Sequence, residues 1–379
     1  MAVSKPIRVL VVDDSAFMRK VLQGIISSDP QLQVCGEARD GRDALAQLES
    51  LKPDVISMDI NMPHMDGLEA TEVIMSSNPH PVVIVSSESR DGADVTLKAL
   101  QLGAIDFVSK PSSGIDFDMS SVKDELCRKL KMAAKVRVVR TAARSNSQPK
   151  AAAGVERSAP AKCEPAKTAA RPSADNGGHR GAGKFPIVVV ASSTGGPATL
   201  MKLIPEFPAD FPGAVIVVQH MPGNFTAQFS KQLAEVSFMK VKEAEAGEIV
   251  VPGQVYVCPG ANHLRVSATG RIVLDDGPRI GGYRPCADLT VESVVSYCGA
   301  NSVAVILTGM GNDGSKGVQA VRMAGGYVIA QDESTAVIFG MPQEAIKTGA
   351  VDQVLPIDAI FAAVEKRVMS HAFSRAGAL

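Results

Sequence analysis

The 379 residues include no tryptophan and only four tyrosines, and aromatic residues make up 4% of the chain. A chain so poor in rings lacks a stacking platform for bases, which counts against single-stranded nucleic-acid binding. Charge of one sign is not in excess either. Lys and Arg total 39 and Asp and Glu 40, a net charge of −1. A dedicated nucleic-acid binder or a protein held on an anionic membrane would carry a basic surplus. No apolar run approaches the ~18 residues that a membrane span requires. The short apolar stretch near the N-terminus runs at once into Asp13 and Asp14, which is no secretory signal. A C-x-x-C pair is missing too. Cys35, Cys127, Cys163, Cys258, Cys286 and Cys298 are scattered, which reads as reduced cytosolic thiols.

The apolar content is ordinary. Hydrophobic residues make up 45% and charged residues 21%, enough for packed cores. At ~150 residues per domain the length suggests two or three domains. Between Arg137 and Lys184 the periodic apolar pattern disappears. Ala, Pro, Ser and Gly dominate, with eleven basic and three acidic residues from Lys135 to Lys184. This composition predicts a flexible, solvated linker. The expected division is 1–136, 137–184 and 185–379.

Before the linker, apolar runs (Ile7–Val12, Leu32–Cys35, Val55–Met58, Val82–Val85, Ala104–Val108) alternate with segments of helical spacing. Five such β-α units predict a parallel sheet covered on both faces. After the linker, Ile187–Ala191, Ala214–Val218, Val303–Leu307 and Tyr327–Ala330 read as buried strands between helices. The stretch Val255–Leu274 reads as short strands with a hairpin turn at Ala268–Gly270. The expectation is a doubly wound, mostly parallel α/β domain with an antiparallel β insertion.

Parallel α/β sheets bind ligands beyond the carboxyl ends of their strands. In the first half those ends carry Asp13, Asp14, Asp59, Ser86, Ser87 and Lys110. Each Asp taken alone also reads as a turn residue. Three converging carboxylates, however, repel one another unless a cation lies among them, and hard oxygen ligands suit Mg²⁺. A carboxylate beside Mg²⁺ and a lysine is placed to accept a phosphoryl group. The motifs VVDDS, MDINMPHMDG, IVSSE and DFVSKP resemble those of the response-regulator receiver family over roughly residues 6–128. The resemblance implies a flavodoxin-like five-stranded sheet with Asp59 as phosphoacceptor. It implies Mg²⁺ on Asp14, Asp59 and the backbone carbonyl of Asn61, with Asp13 assisting. Ser86, Phe107 and Lys110 would take the switch and phosphate-contact roles.

In the second half, strand Ile187–Ala191 runs into Ser192-Ser193-Thr194-Gly195-Gly196-Pro197. This motif alone fits a phosphate-binding loop, a capped helix start or an exposed nucleophile. Two further strand ends bear on the choice: Gln219-His220-Met221-Pro222, and Thr308-Gly309-Met310-Gly311-Asn312-Asp313-Gly314. A Ser, a His and an Asp at one sheet edge are what nucleophilic acyl transfer needs: an alcohol, a base and an orienting carboxylate. The glycine-rich stretch around Met310 offers backbone donors for an oxyanion. His220, His263 and Asp313 lack the spacing of a zinc motif, and no phosphate-loop signature is present.

SSTGGP, QHMPGNFT, KEAEAGE, VYVCPG, DDGP, ILTGMGNDG, IAQDE and FGMPQEA resemble the catalytic domain of the chemotaxis protein-glutamate methylesterase (CheB) family, over about Ile187–Glu365. By motif position the resemblance implies Ser193 as nucleophile, His220 as base and Asp313 as orienting acid, with Thr194 and the Met310 backbone binding the oxyanion. Two positions depart from the usual pattern: Ala191 where many members have Gly, and Cys286 where Ser is more usual. The implied activity is hydrolysis of γ-glutamyl methyl esters on cytoplasmic chemoreceptor helices, with deamidation of receptor glutamines. No cofactor is expected for the hydrolysis. A histidine kinase would phosphorylate Asp59, and the unphosphorylated receiver would cover the catalytic edge. The rival readings are a non-enzymatic switch, which the intact Ser193–His220–Asp313 set argues against and ester turnover would decide, and a transcription factor, for which no helix-turn-helix pattern follows the linker.

Overall fold

Apolar runs of four to seven residues, each followed by an amphipathic helix, set the architecture of both halves. The computed structural model describes residues 5–86, 90–110, 119–136 and 185–376. The expected linker, 137–184, and Ser87 lie outside the described residues. In the first half the order is β1 (Ile7–Val12), α1 (Ala16–Ser27), β2 (Leu32–Ala38), α2 (Gly41–Leu51), β3 (Val55–Asp59) and α3 (Gly67–Ser77), then β4 (Val82–Ser86), α4 (Arg90–Gln101), β5 (Asp106–Ser109) and α5 (Met119–Ala133). The strands form one parallel sheet in the flavodoxin-like order β2-β1-β3-β4-β5. Central strands β3 and β4 are buried throughout, as a parallel sheet covered on both faces requires. Strand β5 begins two residues later than the apolar run suggests, because the Ala104 N–H closes the end of α4 on the Ala99 carbonyl.

The second half contains β6 (Ile187–Ser192), α6 (Gly196–Leu203), β7 (Ala214–Gln219), α7 (Gly223–Val236), β8 (Lys240–Glu243) and β9 (Gln254–Val257). The hairpin β10 (His263–Val266) and β11 (Ile272–Asp275) follows, then α8 (Ala287–Cys298), β12 (Ser302–Ile306) and α9 (Ser315–Met323). Last come β13 (Tyr327–Gln331), α10 (Met341–Lys347), β14 (Gln353–Leu355) and α11 (Ile357–Ala376). Seven strands form a parallel sheet in the order β14-β13-β12-β6-β7-β9-β8.

The antiparallel insertion is smaller than the sequence suggests. Among the described residues the antiparallel strand pair is β10 with β11, around the turn in which Gly270 has φ +76°, with an isolated antiparallel bridge from Ile249 to Arg271 beside it. Val255, Tyr256 and Val257 instead belong to the main sheet, packed between β7 and β8. A run this short cannot announce which partner it pairs with. The edge strands β8 and β14 escape the apolar pattern because edges are short and polar.

Strand β6 is the hinge of the topology. From it the chain winds one way through β7 and returns on the other side as β12. The crevice at such a reversal is where open α/β sheets bind ligands.

One apolar cluster runs through both halves. It includes Leu97, Leu100 and Phe107 from the first sheet and its helices, and Phe225, Phe229 and Leu233 from α7. The Phe107 and Phe225 rings lie 4.3 Å apart.

Candidate active site and phosphoacceptor site

Strands β12, β6 and β7 are adjacent, and Ser193, His220 and the loop to Asp313 leave their carboxyl ends side by side. The Ser193 N–H donates to the Thr308 carbonyl (3.0 Å) and the His220 N–H to the Ser192 carbonyl (3.0 Å). These bonds stitch the three strand ends together just beyond the sheet.

The two neighbouring serines separate clearly. Ser192 is fully buried and donates to Gln219 Oε1 at 2.7 Å. Gln219 in turn donates to the carbonyls of Ser193 (2.9 Å) and His220 (3.1 Å). Ser192 therefore braces the floor of the site. Ser193 is half-buried, and among the described residues its hydroxyl has no hydrogen-bond partner. Neither serine caps the helix. The N-cap of α6 is Gly195, at φ +76°, and no side chain caps it. A Cβ on Gly196 would lie 2.0 Å from Gln219 Oε1, so only glycine admits the brace. Ala191 sits within β6, paired with Val218 and Ile306 in the core, and takes no part in the turn.

His220 Nε2 lies 2.8 Å from Asp313 Oδ2. Asp313 is buried and also accepts from the N–H groups of Ala287 (2.7 Å), Asp288 (3.0 Å) and Gly314 (3.1 Å). Ala287 and Asp288 open α8, whose positive dipole end thus faces the carboxylate. Burial pushes the Asp313 pKa up, but His220 and these backbone donors outweigh it and hold it below the usual value. Cys286, the departure from Ser, touches the same carboxylate, with Sγ 3.3 Å from Oδ1. Burial and the Asp313 charge push its thiol up to about 12, so it stays protonated and donates. An ionised Asp313 can only accept at this distance, so His220 Nε2 is the donor in the contact. Nδ1 is buried and among the described residues has no hydrogen-bond partner.

Thr194 and Met310 flank this edge. Among the described residues their backbone N–H groups make no hydrogen bond. Both side chains are engaged by the first half of the chain. The Thr194 hydroxyl donates to Asp106 Oδ2 at 2.5 Å, and Arg128 Nη1 donates to Met310 Sδ at 3.2 Å. Sequence reasoning picked out neither Asp106 nor Arg128. Gln219 was visible only as a polar residue ending an apolar strand.

At the carboxyl edge of the first sheet, carboxylate oxygens of Asp13, Asp14 and Asp59 lie within 4.8 Å of one another. Lys110 Nζ reaches Asp59 (2.8 Å) and Asp13 (2.9 Å). Burial raises the Asp59 pKa, with the Asp13 charge adding to it and Lys110 opposing it. Burial works to lower that of Lys110, but its bonds to Asp13 and Asp59 prevail and raise it. Asp13 also forms the expected turn, accepting from the Ser15 N–H at 2.9 Å. Three hard carboxylates crowded in this way fit a divalent cation such as Mg²⁺. Ser86 is buried at the end of β4 and its carbonyl accepts from the Lys110 N–H (2.7 Å). Asn61 is exposed two residues beyond Asp59, and Phe107 faces Phe225.

The chain matches the CheB methylesterase family model over residues 188–364 and the response regulator receiver domain model over residues 9–118. A protein-glutamate methylesterase/protein-glutamine glutaminase of Symbiobacterium thermophilum is 46% identical, over 97% of this chain and 98% of its own. The protein of the same name from Pyrococcus horikoshii is 44% identical over 96% and 94%. That from Thermotoga maritima is 44% identical over 92% and 95%. Identity of this extent along almost the whole chain, with one family model on each sheet, shows that the chain belongs to the CheB methylesterase family, with a response regulator receiver domain ahead of the methylesterase domain.

Proposed function

We propose that this chain is a phosphorylation-controlled protein-glutamate methylesterase and protein-glutamine glutaminase that serves chemotaxis adaptation. Its receiver would span 1–136 and its catalytic domain 185–379, joined by 137–184. The observation that carries the reading is the contact of His220 with a buried, ionised Asp313 at the strand end next to Ser193, whose hydroxyl has no hydrogen-bond partner among the described residues.

In this reading Ser193 Oγ attacks the carbonyl carbon of a γ-glutamyl methyl ester, and His220 Nδ1 takes the hydroxyl proton. Asp313 holds the ring through Nε2–H and stabilises the imidazolium. The Thr194 and Met310 N–H groups receive the developing oxyanion. Collapse of the tetrahedral adduct expels methanol, which leaves with the proton from His220. Water activated by the same base then cleaves the acyl-serine to free glutamate. With a glutamine substrate the leaving group is ammonia, from the same type of carbonyl. The substrates are methyl-accepting chemoreceptors, met on the cytoplasmic side at receptor arrays.

Asp59 accepts a phosphoryl group from a chemotaxis histidine kinase. Asp14, Asp59 and the Asn61 carbonyl would hold Mg²⁺, with Asp13 in support. Bound there, the ion neutralises phosphoryl oxygens. Lys110 and Ser86 engage the phosphoryl group, and β5 carries the change to Phe107. Contacts of Phe107, Asp106 and Arg128 with Phe225, Thr194 and Met310 support a reading in which the unphosphorylated receiver covers the Ser193 edge.

Methanol release from methylated receptors, with and without a small phosphodonor and Mg²⁺, tests the reading. Wild type should release methanol faster with the donor, while Asp59→Asn should keep its basal rate and ignore the donor. No release by wild type under either condition would refute the reading.

A further inference from the structure

The proposed chemistry leaves one ring beside the site unused. Tyr283 stacks on the imidazole of His220, with centroids 4.6 Å apart and planes at 19°. We propose that Tyr283 is a positioning residue for the base, a plate that fixes the rotation of His220 about its hydrogen bond to Asp313. The proposal rests on reading His220 as the base.

An imidazole held by one in-plane bond keeps one soft motion. It can swing about the line from Nε2 to Asp313 Oδ2, and that swing carries Nδ1 away from the serine proton. A flat ring at stacking distance removes it.

The plate is itself anchored. Ile280 and Tyr283 exchange both backbone hydrogen bonds, each 3.0 Å long. The next residue, Arg284, donates to the carbonyls of Asp276 (2.7 Å) and Gly277 (2.9 Å). The phenol end fills the space over Gly311, where a Cβ would lie 1.8 Å from the hydroxyl. Burial and the Asp313 charge raise the phenol pKa, so the ring stays neutral. A neutral, electron-rich face also favours the imidazolium that forms during the reaction.

The test uses the full chain with a small phosphodonor and Mg²⁺, on methylated receptor. Tyr283→Phe keeps the plate and should stay within about twofold of wild type. Tyr283→Leu should lose roughly 10- to 100-fold in kcat with KM nearly unchanged, the size of effect that misplacing a reacting group produces. The ring protons of His220 give a second readout by NMR. They should show an upfield ring-current shift in wild type and Tyr283→Phe that is lost in Tyr283→Leu. A Leu variant that loses the shift but keeps kcat overturns the proposal. So does a Phe variant that loses kcat, since that would assign the role to the hydroxyl. Should the Leu variant not fold, the Phe variant still decides, because the proposal requires it to keep both shift and kcat. His220→Gln in the same assay separates the two readings: turnover by that variant refutes His220 as base, while the ring-proton shift, read in wild type and the Tyr283 variants that keep His220, reports the stack independently of turnover.

Discussion

Asp106, at the start of β5, accepts a hydrogen bond from the hydroxyl of Thr194, the residue that follows Ser193. Its other oxygen lies 3.0 Å from Lys129 Nζ, which also donates to the Phe107 carbonyl at 2.6 Å. Burial disfavours the Lys129 charge, but Asp106 and Glu125 outweigh that and raise its pKa. In the proposed reading the Thr194 N–H receives the oxyanion, and the receiver then holds the side chain of that same residue through a carboxylate paired with Lys129.

Asp106→Asn should weaken this contact while preserving shape, and Lys129 keeps Glu125 at 3.0 Å. A hydrogen bond to a charged group contributes about 1.5–3 kcal/mol. Basal methanol release should rise roughly 10- to 100-fold without phosphodonor, and the further gain on adding the donor should shrink. An unchanged basal rate would show that the contact does not restrain the enzyme.

The Phe107–Phe225 ring pair, tilted by 31°, makes a second, separable contribution. Aromatic pairs contribute about 0.5–1.5 kcal/mol beyond their buried area. Phe107→Leu and Phe225→Leu should each raise basal activity. The double variant should fall short of the product of the two effects, because each single change already removes the same contact. Full additivity would mean that the rings act independently.

Acid should loosen the receiver through Asp94. Gln232 and Gln228 of α7 donate to its carboxylate at 2.6 and 3.1 Å, and Lys98 lies 3.2 Å away. The hydrogen bond from Gln232 is the largest cause of a pKa below the ordinary 3.8. A carboxyl depressed by docking favours the docked state fully above its free value. That contribution disappears as pH falls through the docked value. Spin labels on the two domains should report separation beginning below about pH 4 in wild type. Asp94→Asn should lack this step. A wild-type distance constant down to pH 3 would contradict the assignment.

Much of the site could be read from the chain because its residues sit where topology puts them. A Ser, a His and an Asp just past apolar runs are forced to one edge by parallel winding alone. Motif register implies Ser193 rather than Ser192, and in the structure it is the Ser192 hydroxyl that is engaged, by Gln219. The contacts of Asp106, Arg128 and Tyr283 were not legible. Each reaches a partner far off in sequence, and no local pattern encodes such pairings. Strand β9 is legible as a strand but its partner is not, for the same reason, since Val255–Val257 is an apolar run equally suited to a hairpin or a parallel strand. Cys286 stands where Ser is more usual, and only the fold shows it against Asp313.

The central claim is that Ser193, and not its neighbour, carries the chemistry. Methanol release from methylated receptors by phosphodonor-activated Ser193→Ala and Ser192→Ala, run side by side, tests it most directly. Ser193→Ala should fall by at least ~10³-fold, as loss of a triad nucleophile does. Ser192→Ala should keep most of its activity while losing about 1 kcal/mol of stability with its buried hydrogen bond. Wild-type methanol release by Ser193→Ala would contradict the account.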